Sequence, residues 1–286
     1  MTLLAAVADS SAGPGSEFPV INGYSDAMPQ PRQIFADYRV GADREHTTML
    51  SAQNAAKADP RPGLWSRIIV DPGVYVEQWS PENTHRQVIV AATPGSVEFV
   101  MPEGGGFSTI NTWGGTYYIG GITFTLPEGF AGSGAYALHH HSGRLSIFEQ
   151  CVFRSFSTER PSPAGADTDS NTSSYWLRCT FDGPVDQPIN FHGAGSSAFP
   201  SRHVFVDCVA PAGLGYSAST GVADELWVVG EDTVIPYWRA EGDEVRAFIR
   251  PDLLAGSGVT VVPIPTDTAV LPVAGTLLPP QVGLIV

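Results

Sequence analysis

Three sets of side chains in this chain are of types that do chemistry: three cysteines, a run of three histidines, and carboxylates that outnumber the cations. A thiol acts as nucleophile or metal ligand when a nearby cation, base or ion favours its thiolate. Cys151 lies in FEQCVF (148–153), Cys179 in WLRCTF (176–181) and Cys208 in FVDCVA (205–210). No His or other base recurs at a fixed distance from each of them, and no C-x-x-C spacing occurs. Three thiols cannot all pair within one chain. They are therefore read as small buried hydrophobes rather than as a reactive or metal-binding set.

The run His139-His140-His141 is the most conspicuous polar cluster. In an alternating strand His139 and His141 share a face, while His140 points the other way. A threefold axis would gather six such imidazoles, so His139 and His141 are the metal candidates. An exposed strand or loop with ordinary histidines is the stronger expectation. His192 and His203 fall at offsets that do not stack with the triplet. Glycan cleavage needs two carboxyl groups separated by roughly 5–9.5 Å, depending on mechanism. Glu149, Asp182 and Asp207 are candidates for an outer wall, but no coil-to-coil acidic pair emerges from their spacing. Trp79, Trp113, Tyr117, Trp227 and Trp238 offer stacking faces for sugars, with buried packing the default. S-x-x-K and G-x-S-x-G are absent, and the GGG at 104–106 lacks the helix and Lys of a phosphate loop. No catalytic residue and no cofactor are expected.

The elements that must carry these residues follow from their spacing. The cysteines are 28 and 29 residues apart, and 29 residues before Cys151 stands Ile122, in IGGITF (119–124). The four segments share a template: a bulky apolar residue, two variable positions, Ile or Cys, one residue, then Phe or Ala. Units of that length, rich in aromatic and β-branched residues and broken by Gly, Pro, Asn and Ser, read as coils of short strands. If the coils are parallel, equivalent residues stack at ~4.8 Å. Ile122, Cys151, Cys179 and Cys208 then form one inward column. Phe124, Phe153, Phe181 and Ala210 form a second, and Ile119, Phe148, Trp176 and Phe205 a third. Gly121, Gln150, Arg178 and Asp207 suit an exposed bend. A fourth apolar column, Tyr118, Ile147, Tyr175 and Val204, precedes the third directly. Either a bend intervenes there, or an apolar stripe faces a neighbouring subunit.

Around the repeat, residues 1–44 read as an extended arm. HTTMLSAQNAAKADP (46–60) gives a helix over 47–57 with Thr47 or Thr48 as its cap. RIIVDPGVYVEQW (67–79) and RQVIVAATPGSVEFVMPEGGG (86–106) each read strand, Pro-Gly turn, strand. The β-helix is expected over 45–225, its register becoming hard to follow after 224. Residues 226–286 form a C-terminal β segment that packs on the coil end or exchanges between chains. The composition of 31 glycines, 24 prolines and 15% charged residues fits an all-β chain of many turns. A net charge of −14 argues against nucleic acid and against anionic membrane surfaces. No segment approaches the ~18 apolar residues of a membrane span, and the N-terminus has no basic residue before its apolar run, a poor signal peptide.

With these segments in place the chain resembles the pectin-lyase-like right-handed parallel β-helices over roughly 45–225. The helix followed by RIIVDPGVYVEQW is similar to the entry of pectinesterase-type helices, with Pro72, Gly73, Tyr75 and Glu77 in a "PG-x-Y-x-E" turn. QCVF and RCTF resemble the "N-C-x-F" bends of such coils, with Gln150 and Arg178 where Asn is common. The pectinesterase Q-D-T and D-F-I-F-G segments are absent, and ERPSPAGADTD (159–169) is only superficially similar to a pectate-lyase signature, so no catalytic residue carries over. In architecture the chain also resembles bacteriophage tail spikes, fibres and minor tail proteins. That resemblance implies a homotrimer in a virion, assembled in the host cytoplasm. The N-terminal arm would meet other tail proteins, and the β-helix would be offered to them or to host-surface polysaccharide. A carbohydrate-active β-helix enzyme, lyase or depolymerase, is the alternative.

Overall fold

The chain folds as a right-handed parallel β-helix, seen here in a computed structural model that describes Tyr24 and the strands, helix and bends between 34 and 249. The longer connections, with 1–23, 25–33 and 250–286, lie outside the described residues. The solenoid opens with β1 (Ile34–Val40) and α1 (Met49–Ala58), followed by β2 (Trp65–Val70) and β3 (Gly73–Val76). Three-strand coils follow: β4 (Arg86–Ala91), β5 (Val97–Val100) and β6 (Ser108–Thr112), then β7 (Thr116–Gly120), β8 (Ile122–Leu126) and β9 (Tyr136–His140). The next pair is β10 (Leu145–Glu149), β11 (Val152–Ser155) and β12 (Ala164–Asp167), then β13 (Ser173–Leu177), β14 (Thr180–Asp182) and β15 (Ile189–His192). Last come β16 (Arg202–Val206), β17 (Leu214–Tyr216), β18 (Asp224–Val229), β19 (Trp238–Ala240) and β20 (Val245–Ile249).

These strands form three sheets. The first runs β1-β2-β4-β7-β10-β13-β16-β18-β20, the second β3-β5-β8-β11-β14, and the third β6-β9-β12-β15-β17-β19. Neighbouring strands pair in parallel, as in Ile119↔Phe148, Phe148↔Trp176 and Trp176↔Phe205. The expected boundaries move outward at both ends. Ile34–Val40, assigned to the arm, is an edge strand paired with β2 and pinned by Arg67, whose guanidinium donates to both carboxylate oxygens of Asp37 at 2.8 and 2.6 Å. Beyond 225, β18 and β20 continue the first sheet. The 28–29-residue template fails there because the turns shorten: Phe205 stacks on Val228, 23 residues on, and Val228 on Ile249, 21 residues on.

Helix α1 closes the N-terminal end of the core with Met49 and Ala52, and Ala56 is buried beside them on the same helix. Thr48 is its cap, its Oγ1 accepting from Ser51 N–H at 3.2 Å. Glu77, from the Pro-Gly turn segment, adds a carboxylate that accepts from Met49 and Leu50 N–H at 3.0 and 3.2 Å. Anionic oxygens are favoured there by the unpaired N–H groups and the helix dipole.

From β2 to β10 the first sheet is buried on both faces, as parallel sheets commonly are. Its inner residues, Ile68, Ile89, Ile119, Phe148, Trp176 and Phe205, belong to the main core. The alternate residues, Val88, Tyr118, Ile147, Tyr175 and Val204, form a second apolar cluster on the outer face. This settles the puzzle of the fourth column: strict alternation holds, and no bend intervenes. The stripe is buried in the single chain rather than left bare for a neighbour, with Tyr24 and Trp227 packed against it.

Candidate functional site

The three thiols lie in line, fully buried. Each donates to a carbonyl of the preceding coil: Cys151 to Ile119, Cys179 to Phe148 and Cys208 to Trp176, at 3.5, 3.5 and 3.1 Å. Burial pushes the Cys179 thiol well above its usual range, and hydrogen bonds with Cys151 and Cys208 push the same way. A thiol held protonated inside a fully buried column is a poor nucleophile. The aromatic columns flank it. Phe124, Phe153 and Phe181 stack at 5.6 and 5.2 Å, with Tyr75 and Phe99 extending the pile toward the helix. Trp176 stacks between Phe148 at 4.4 Å and Phe205 at 5.6 Å. Ile122 is also fully buried.

His139 and His140 are not exposed, contrary to the plain expectation. His140 points into the core, its Nδ1 within 2.7 Å of Thr112 Oγ1 and 3.1 Å of the Tyr117 hydroxyl, and its ring edge-on to Phe148 and Trp176. His139 is buried, its ring 5.2 Å from Tyr136. The inner face of the third sheet lines the core, so the His140 imidazole is enclosed, and its hydroxyl partners make that tolerable. His141 lies outside the described residues. Among the described residues no group of three His, Cys, Asp or Glu has the geometry to hold a metal ion. His203, two coils beyond, is also internal: its Nδ1 is 2.5 Å from Ser174 Oγ, which accepts in turn from Trp176 Nε1 at 3.0 Å. Burial lowers the His203 pKa to about 3, so its imidazole stays neutral. Trp79 and Tyr117 are core residues as well, whereas Trp113 and the Trp238 side chain lie outside the described residues.

The most distinctive arrangement is on the outer face of the first sheet. Glu149, at the end of β10, is fully buried and aligned with Gly120 and Leu177. It accepts from the Tyr118 hydroxyl and from the Arg178 guanidinium. Arg178 reaches it because its backbone is left-handed (φ 53°), as are those of Gln150 and Asp207 (53° and 52°) in the same bend column. This conformation turns the chain within one residue from the first sheet to the second, and it sends the Arg178 side chain back toward the preceding coil. Burial, and then Glu149, hold the Tyr118 phenol far above its ordinary pKa. Asp182, on the second sheet, pairs instead with Arg154 at 2.9 Å. No acid lies across from Glu149 in the register of the first sheet, whose flanking positions are Gly120 and Leu177. The arrangement is a clamp: a buried anion held by one cation and one phenol. A search for acid–acid pairs passes over it, yet Glu149 and Arg178 are 29 residues apart, one repeat, and an acid–base search at that spacing finds them.

Comparison with known proteins adds little chemistry. No family model and no curated protein matches the chain. Among solved structures it is similar to the pectin methylesterase from Aspergillus niger, in a deglycosylated form and in a penultimately deglycosylated form. Each is 14% identical, with 81% of this chain and 87% of that chain covered and a TM-score of 0.40. At that distance the likeness bears on neither substrate nor mechanism.

Proposed function

We propose that the protein is a structural or receptor-binding component of a bacteriophage tail, a spike, fibre or minor tail protein. In this reading it is a homotrimer that presents its β-helix to host-surface glycan or to other virion proteins, with the N-terminal residues making the attachment. One observation carries the reading: the side chains best suited to chemistry are spent on holding coils together. The thiols, His140, His203 and Glu149 are fully or almost fully buried, each with hydrogen-bond partners in neighbouring coils. Solenoids in which every turn is bonded to the next suit a part that must present a surface and stay folded. Accessible apolar residues sit on the flank, with Val74 and Val76 on β3 exposed by 66% and 68% and Phe156 by 54%. Such residues are suited to contact with another macromolecule. Native mass, together with a screen for release of oligosaccharides from capsule, pectin and cell-wall glycans, tests the reading. The expected result is a trimer without turnover. A monomer that releases oligosaccharides would overturn it in favour of a carbohydrate-active enzyme.

A further inference from the structure

The bends between the first and second sheets begin one register position earlier from β7 onward, so the first N–H of the bend points the other way. In the early coils the bend N–H reaches back: Asp71 donates to Val40 C=O and Ala92 to Val70 C=O, both at 2.8 Å. From Gly121 onward it reaches forward. Gly121 donates to Glu149 C=O at 2.9 Å, Gln150 to Leu177 at 2.8 Å and Arg178 to Val206 at 2.8 Å. The reversal coincides with a change of bend, from loops containing Pro72-Gly73 and Pro94-Gly95 to the one-residue left-handed bends. At the switch, between β4 and β7, the Ala92 and Gly121 N–H groups both point away. The Gly120 carbonyl takes the ladder hydrogen bond from Ala91 N–H that the Val90↔Gly120 pairing requires, and it and the Ala91 carbonyl both border one gap there.

Tyr24 fills it. Its hydroxyl lies 2.9 Å from Ala91 C=O and 3.0 Å from Gly120 C=O, and its ring meets Tyr118 edge-on at 6.3 Å. Two glycines make the space. A Cβ on Gly120 would stand 2.7 Å from the Tyr24 ring, and one on Gly121 would stand 2.2 Å from its hydroxyl oxygen and 2.8 Å from Pro94. Tyr118 cannot substitute as the donor, because its hydroxyl is committed to Glu149.

We propose that this notch is a phenol-binding site, and that Tyr24 in it ties the N-terminal segment to the outer face of the first sheet and closes the seam between the two bend types. The site selects a phenol because its hydroxyl proton meets carbonyl acceptors there. An apolar ring fills the volume but offers these carbonyls no proton. Burial, with Cys151 and Glu149 nearby, holds the Tyr24 phenol far above its ordinary pKa, so the donor is retained at any physiological pH. The inference is independent of whether the chain belongs to a phage tail.

The test uses the full chain with Tyr24→Ala, which empties the notch, and Tyr24→Phe, which keeps the ring and removes the donor. Backbone hydrogen exchange is followed at 86–92 and 116–122, with limited proteolysis N-terminal to 34. In Tyr24→Phe, exchange at the two strand ends is expected to rise roughly fivefold, the factor that one lost hydrogen bond implies. Tyr24→Ala is expected to show a lower melting temperature and faster cleavage before 34. Added p-cresol restores both, whereas toluene of similar shape does not. Equal rescue by toluene would show a mere apolar hole and overturn the proposal. So would unchanged exchange in Tyr24→Phe, a readout that survives if the alanine variant fails to fold.

Discussion

The clamp at Glu149 gives the sharpest test of the packing argument. Its carboxylate side chain has no solvent exposure, while the Arg178 side chain is 47% exposed. Removing the cation leaves a buried carboxylate without its guanidinium. Breaking a fully buried pair costs about 3–5 kcal/mol, and the half-solvated guanidinium lowers the expectation for Arg178→Ala to about 2–3 kcal/mol. For a chain of this size that is a fall in Tm of roughly 4–12 °C. Arginine and alanine bear the same left-handed backbone cost at this position (φ 53°), so the alanine variant isolates the side chain. Arg178→Gly should recover about 1 kcal/mol of the loss by relieving that strain. Glu149→Gln keeps the shape and a partner for Tyr118 while removing the charge, and should cost about 1 kcal/mol. The assay is a double-mutant cycle by thermal and urea denaturation. The double variant should lose less than the two singles together, with a coupling of at least about 1 kcal/mol. Singles that add to within about 0.5 kcal/mol would show that the two residues do not act as a pair, and the reasoning would fail.

Three further outcomes follow from the core. Alkylation with iodoacetamide at pH 8, read by mass spectrometry, should modify none of Cys151, Cys179 and Cys208 in the native protein and all three in guanidinium, because the column is fully buried and the Cys179 thiol is pushed up by burial. Trp176→Ala should cost about 3–5 kcal/mol, since it empties the centre of a stack between Phe148 and Phe205, and denaturation should show the loss directly. His203 has a folded pKa lowered to about 3 against an unfolded value near 6.5, so its neutral form contributes stability above pH ~6.5. That contribution is lost as the pH falls from 6.5 toward 3. Melting curves from pH 8 to 4 should show a shallower decline for His203→Gln than for the native chain, and equal slopes would contradict the assignment.

Much of the solenoid could be read from spacing. Parallel coils place residues one turn apart at the strand separation, so a template recurring every 28 or 29 residues is itself a list of contacts. Ile122, Cys151, Cys179 and Cys208 share such a column for that reason, as do Phe124, Phe153 and Phe181. The bend column was legible from its polarity. Its left-handed backbone was not, because Gln, Arg and Asp do not announce a positive φ as glycine does. The Glu149–Arg178 clamp depends on that backbone, since Arg178 lies one position beyond the end of β13 and turns back to reach it.

The burial of the histidines and the fate of the outer stripe were settled only in three dimensions. Alternation says that Tyr118 and Ile147 face away from the core, but not what lies over them; Tyr24 comes from a stretch with no period and reaches carbonyls 67 and 96 residues away. Periodicity records which residues repeat, and so determines the stacking of like on like. Contacts between a repeated part and a part that occurs once leave no such record. The gap that Tyr24 fills arises where two bend types meet, and neither type alone contains it.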